Sequence, residues 1–156
     1  MDLIQNKDLL ESLSYLIAIL GGIFGSIYFL IKYYKAYDKR ISQAYSGFWI
    51  NEGCINPKNE ETHSIELTLE SDNRELSGTI NVQKYSEDAH WNGLSIDGKR
   101  FLKRASINII HIRKGEVLKV ATVKLSLKKK EMIWKLKNGT ADFFPTKTIL
   151  WLHKVN

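Results

Sequence analysis

A run of nineteen uncharged residues, 13–31, constrains this chain more than any other feature. It reads Leu-Ser-Tyr-Leu-Ile-Ala-Ile-Leu-Gly-Gly-Ile-Phe-Gly-Ser-Ile-Tyr-Phe-Leu-Ile. As a helix it would be ~28 Å long, close to the ~30 Å hydrocarbon core of a bilayer. The whole chain has 156 residues, enough for one domain beside such a span and not two. The expected division is therefore residues 1–43, comprising a polar lead, a transmembrane helix and a basic juxtamembrane link, followed by one domain over 44–156.

The lead, residues 1–12, carries three acids and one lysine. A secretory signal peptide needs a basic start and a small-residue cleavage site, and neither is evident, so the span is expected to be retained. Lys32, Lys35, Lys39 and Arg40 follow it. By the positive-inside rule these place the C-terminal domain in the cytoplasm. Tyr15 near one end, and Tyr28, Tyr33 and Tyr34 near the other, suit the two membrane interfaces. Inside the span, Gly21 and Gly25 form a Gly-x-x-x-Gly pair, with Ala18, Gly22 and Ser26 as a second row of small residues. That spacing lets helix backbones approach closely and makes a candidate self-association face, although glycine is common in membrane helices generally.

From Tyr45 onward the apolar period changes to two. Phe48-Trp49-Ile50 reads as a first strand, ended by a loop through Cys54, Asn56 and Pro57. Ile65, Leu67 and Leu69 alternate with Glu66, Thr68 and Glu70, and Leu76, Gly78, Ile80 and Val82 repeat the pattern after Ser71-Asp72-Asn73. A polar loop over 84–89 precedes a strand over 91–96, and Asp97-Gly98 reads as a hairpin turn. Residues 105–113 and 117–127 are longer strands joined at Lys114-Gly115. Residues 132–137 and 140–144 flank Asn138-Gly139, a strong hairpin signal, and 148–155 is the last strand. The fold class expected is all-β: a single transmembrane helix followed by a small antiparallel barrel of about eight strands, with a sandwich as the alternative.

Composition narrows the chemistry. Residues 1–43 hold five bases and four acids, whereas the remaining 18 bases and 13 acids leave the domain at +5. Such a balance suits an anionic partner, and equally a solubilising surface. Cys54 is the only cysteine, so no intrachain disulfide can form, which fits a reducing compartment. His63, His90, His111 and His153 are scattered and show no metal-ligand spacing. With no nucleophile signature and no glycine-rich phosphate loop, no catalytic residue, metal or cofactor is expected. Binding features remain. Lys99, Arg100, Lys103 and Arg104 cluster around the expected turn, with Arg113 and Lys114 at the next one. Such cations suit phosphate contacts, and Trp91, beside a loop, could offer a stacking face. Trp49 and Trp151 read as core residues, and Lys128-Lys129-Lys130 as a solvated turn before a lipid contact.

Gly47-Phe48-Trp49 resembles the Gly-x-Trp opening of lipocalin-like barrels, in which the Trp plugs the closed end. The layout as a whole is more specific: a membrane helix, a basic link, then a minimal barrel ending in Phe143-Phe144-Pro145 and Thr148-Ile149-Leu150-Trp151-Leu152. It resembles the bacterial antiphage transmembrane β-barrel effectors found beside cyclic-oligonucleotide synthases in CBASS and related systems. The resemblance implies a barrel that senses a cyclic oligonucleotide and a membrane segment that oligomerises and disrupts the inner membrane, arresting the infected cell. It implies membrane lipid and a second copy of the chain as partners, with no nucleic acid polymer. Members of that family usually carry two spans where this chain has one, which puts more weight on the Gly21–Gly25 face. Alternative readings are a tethered lipocalin-like carrier of an apolar ligand and a protein-binding scaffold subunit.

Overall fold

The computed structural model describes residues 2–51, 63–84, 89–139 and 142–153, with side chains from residue 10 onward apart from Ala89. These described residues form one helix, α1 (Asp2–Tyr45), and eight strands. These are β1 (Gly47–Ile50), β2 (His63–Asp72), β3 (Glu75–Lys84), β4 (Ala89–Phe101), β5 (Arg104–Arg113), β6 (Glu116–Lys128), β7 (Glu131–Asn138) and β8 (Lys147–His153). Each strand pairs antiparallel with the next, and β1 returns to β8 through Phe48–His153, Trp49–Leu152 and Ile50–Trp151. The sheet is thus a closed barrel, and closure rules out a sandwich. Cys54, Asn56 and Pro57, the loop over 85–88, Thr140 and Val155 lie outside the described residues.

The chain divides into two compact units, residues 1–39 and 40–156. The division falls ahead of residue 44 because the last helical turn belongs to the barrel, where Ile41 and Tyr45 are buried. Residues 10–39 of the first unit bury no side chain. Phe24 is 68% exposed, Leu30 67% and Ile17 61%. Apolar area left in water costs roughly 25 cal/mol per Å², and this helix exposes such area along its length. The helix is long and apolar enough to cross a membrane.

In the second unit the period-two pattern becomes the barrel wall. On β2, Ile65, Leu67 and Leu69 are buried while Glu66, Thr68 and Glu70 are exposed. Leu76, Ile80 and Val82 on β3, Ile107 and Ile109 on β5, and Val123, Leu125 and Leu127 on β6 face the same interior. A slip of one residue in any strand would exchange the two faces, so the alternation fixes register. Trp49, Trp134, Tyr45 and Phe144 are the bulkiest fully buried side chains. Trp49 lies in the interior, and Gly47 begins β1 opposite Leu69.

Two expected turns are corrected. Asp97-Gly98 does not reverse the chain, because β4 runs through it to Phe101. The reversal comes at Leu102-Lys103, between the paired Phe101 and Arg104. A Cβ at Gly98 would lie 2.5 Å from the Ser106 carbonyl oxygen and 2.8 Å from Ile107 Cα. The glycine therefore permits close approach of neighbouring strands inside the sheet. After Asn138 ends β7, the described part of the expected strand over 140–144 is not a strand: Asp142 and Phe143 form a turn, Phe144 a bend, and β8 begins at Lys147. A Cβ at Gly139 would sit 2.8 Å from Ala121 Cβ, so crowding against β6 accounts for this glycine as well.

Gly98→Ala is expected to lower the melting temperature of the full chain in detergent by several degrees. Overpacking typically costs 1–3 kcal/mol, and ~1 kcal/mol shifts a small domain by roughly 4–8 °C. An unchanged melt would show that β4 and β5 can separate at this point without loss.

Candidate functional site

The barrel has two ends of different chemistry, and each follows from where strands run out. At the end where the chain enters, the last turn of α1 is joined to β1, β2 and β4. Trp49 Nε1 donates to the Tyr45 carbonyl at 2.9 Å. Ser42 Oγ donates to the Ser71 carbonyl at 2.8 Å and lies 2.9 Å from Ser71 Oγ. Ser71 N–H donates to Ser46 Oγ at 3.0 Å. Arg100, 3% exposed, donates from Nε to Ser71 Oγ at 2.9 Å. Arg100 continues the inward positions of Leu94, Ile96 and Gly98, which is why it points into the barrel. Lys99, Lys103 and Arg104 are exposed around it.

Tyr45 is fully buried, and among the described residues its hydroxyl has no hydrogen-bond partner. Burial pushes its phenol well above the ordinary tyrosine value, and the Arg100 guanidinium and nearby Leu127 backbone only partly offset this.

The opposite end is a mouth lined by rings and polar side chains. Trp91 meets the His111 ring edge-on at 5.6 Å and the Phe143 ring at 5.5 Å. Asn51 is 5% exposed: its Nδ2 donates to the His63 carbonyl at 2.8 Å, and its Oδ1 accepts from Ile65 N–H. His63 is also buried, with Nε2 3.4 Å from the Asp142 carbonyl oxygen. Lys84, 5% exposed, lies opposite His63 in the β2–β3 ladder and two residues beyond Val82, which pairs with Trp91. Arg113 is exposed where β5 ends at this mouth.

The six expected ligand contacts therefore do not form one site. Trp91 and Arg113 lie at the mouth, whereas Lys99, Arg100, Lys103 and Arg104 lie at the other end. Arg113 follows Arg104 by nine positions on one strand, about 30 Å at ~3.3 Å per residue. Sequence reasoning passed over Asn51, His63, Lys84 and Phe143 at the mouth. Lys84 was recoverable, since the Leu76, Ile80 and Val82 parity carries it inward, whereas Phe143 arrives from a connection whose path no pattern specifies. Among the described residues, no group of three or more His, Cys, Asp or Glu is placed to hold a metal ion. No protein-family model, curated protein or solved structure matches this chain.

Two outcomes follow from the helix-side end. Ser71→Ala removes the oxygen that accepts from Arg100 and should destabilise the chain by about 1–3 kcal/mol, read by denaturant or thermal unfolding in detergent. Tyr45 titrates in the unfolded chain near pH 10, while the folded chain keeps it neutral to higher pH. Its contribution is whole below that value and is lost as pH rises above it. Stability should fall more steeply above pH ~10 in the native chain than in Tyr45→Phe, and parallel pH profiles would refute the burial effect.

Proposed function

We propose that this chain is a non-enzymatic membrane effector of antiviral defence. The barrel reads a cyclic oligonucleotide, and the signal controls association of the single apolar helix with copies of itself. Assembled helices disrupt the bacterial inner membrane and arrest the infected cell. The observation that supports this reading most directly is the mouth, where Trp91 meets the His111 and Phe143 rings and the exposed Arg113 follows His111 by two residues on β5. Bases stack on aromatic faces and phosphates pair with cations, so a compact, anionic, base-bearing ligand fits this chemistry. Trp91 and Arg113 are the ligand contacts in this reading. The basic flank at Lys32, Lys35, Lys39 and Arg40 supports a cytoplasmic barrel.

The row of Ala18, Gly21, Gly22, Gly25 and Ser26 supplies the helix contact. All except the partly exposed Gly25 are exposed, and nothing lies within 4 Å of where a Cβ would stand at Gly21, Gly22 or Gly25. That leaves room for a second helix backbone. The carrier reading needs a hollow apolar barrel, and the fully buried Trp49, Trp134, Tyr45 and Phe144 weigh against it.

Expression in bacteria supplied with cyclic di- and trinucleotides tests the proposal through uptake of a membrane-impermeant dye. A nucleotide that acts through the barrel changes dye uptake. Gly21→Leu with Gly25→Leu abolishes uptake, and Trp91→Ala with Arg113→Ala weakens the nucleotide response by roughly tenfold or more. Cells equally intact with and without every such nucleotide would sink the reading.

A further inference from the structure

The helix-side rim of the barrel carries a second charged surface that the ligand reading does not use. The β4–β5 turn presents Lys103 and Arg104, with Lys99 on β4 beside it, and the β6–β7 turn presents Lys128, Lys129 and Lys130. All six are exposed. The turns are neighbours, since Arg104 pairs with Ser126 and Leu127 N–H donates to the Lys103 carbonyl at 2.8 Å. Between them runs a groove of about 650 Å³ lined by Lys103, Leu127, Lys128, Lys129, Lys130 and Glu131. Acids offset part of this charge, with Glu131 opposite Lys128 and Glu75 opposite Lys99 in the ladders. A large positive excess remains.

On this rim, where β4 meets the β4–β5 turn, Phe101 is 66% exposed, on the opposite side of β4 from the inward Arg100. A solvated solubilising turn has no use for a bare aromatic ring. A bilayer surface does, because the ring enters the headgroup boundary while the lysines around it meet lipid phosphates. We infer that this rim docks on anionic lipid headgroups. The inference rests on the membrane-span part of the proposed function and not on its nucleotide. Tyr45 follows Ile31 by fourteen positions, a contour of about 21 Å as helix. A barrel on so short a tether stays at high effective concentration beside the bilayer, so individually weak headgroup contacts become populated.

Lysine labelling of the full chain in nanodiscs tests this. Discs of phosphatidylcholine alone are compared with discs containing about one quarter phosphatidylglycerol, and an amine-reactive reagent is read residue by residue by mass spectrometry. With the anionic lipid, labelling at Lys103, Lys128, Lys129 and Lys130 should slow by roughly tenfold, while Lys114 and Lys119 at the far end are unaffected. High salt should restore labelling. In the triple variant Lys128→Glu, Lys129→Glu, Lys130→Glu, protection at Lys103 should be lost with no change in melting temperature, since these side chains are exposed. Phe101→Ser should weaken protection with the charges intact. Equal labelling in both discs overturns the inference. Protection at Lys114 and Lys119 instead assigns the contact to the other end and overturns it too. Protection by inorganic phosphate in phosphatidylcholine discs would assign the groove to a soluble anion. None of these readouts depends on whether any cyclic nucleotide binds.

Discussion

The hydrogen bond from Trp49 Nε1 to the Tyr45 carbonyl joins the last helical turn to the strand that closes the barrel. That strand, β1, has only four residues, yet it must pair with β2 on one side and β8 on the other. Without it the sheet would have two edges, each a row of unpaired backbone groups open to other chains. So short a strand cannot hold its place by ladder bonds alone. Trp49 anchors it by filling the interior at 1% exposure while its ring nitrogen is satisfied by the helix end. The Ser42–Ser71–Arg100 bonds then extend the same junction to β2 and β4.

This junction explains why the two ends of the barrel differ. On the helix side a charged residue lies inside the wall, and Arg100 is accommodated because Ser71 accepts from it. The neighbouring Tyr45 hydroxyl is buried without a hydrogen-bond partner among the described residues, which is a local cost. At the mouth the strands end at unequal points. Pairing of β4 with β5 reaches only Ser95–Ile110, whereas β5 and β6 continue to Arg113–Glu116. The extra ribbon leaves Ile112 and Val117 more than half exposed. His111, on this ribbon, is what brings a ring against Trp91.

The sequence made the apolar helix and the barrel legible because each depends on a repeating pattern. Nineteen uncharged residues and alternation over Ile65, Leu67 and Leu69 leave few other solutions. Turns were legible only where the local residue decides the geometry. Lys114-Gly115 reverses the chain as read, with both residues at positive φ. Asp97-Gly98 has the same local signature, but its glycine answers to Ser106 and Ile107 on the adjacent strand. A dipeptide cannot distinguish a turn from a point of close strand approach. The basic cluster shows the same limit. Lys99, Arg100, Lys103 and Arg104 are consecutive enough to look like one site, yet strand parity turns Arg100 inward and leaves the others outside.

That parity effect bears on how a barrel so small could serve a membrane effector. Its wall is one strand thick, so each inward residue has an outward neighbour on the same backbone: Arg100 beside Lys99 and Phe101, Lys84 beside Gln83. A shift that repacks the interior at one point must move the outward residue next to it. Cores are close-packed and do not deform continuously, so such a shift is transmitted through the wall and is not absorbed by it. Trp49 and Tyr45 lie inside this same packed volume, which means the helix end is part of the barrel core and not an appendage to it. In the proposed reading, ligand at the mouth needs no moving domain to reach the helix. It needs only two packings of one small core, whose difference is felt at residues 40–45 and repeated in every copy of the chain.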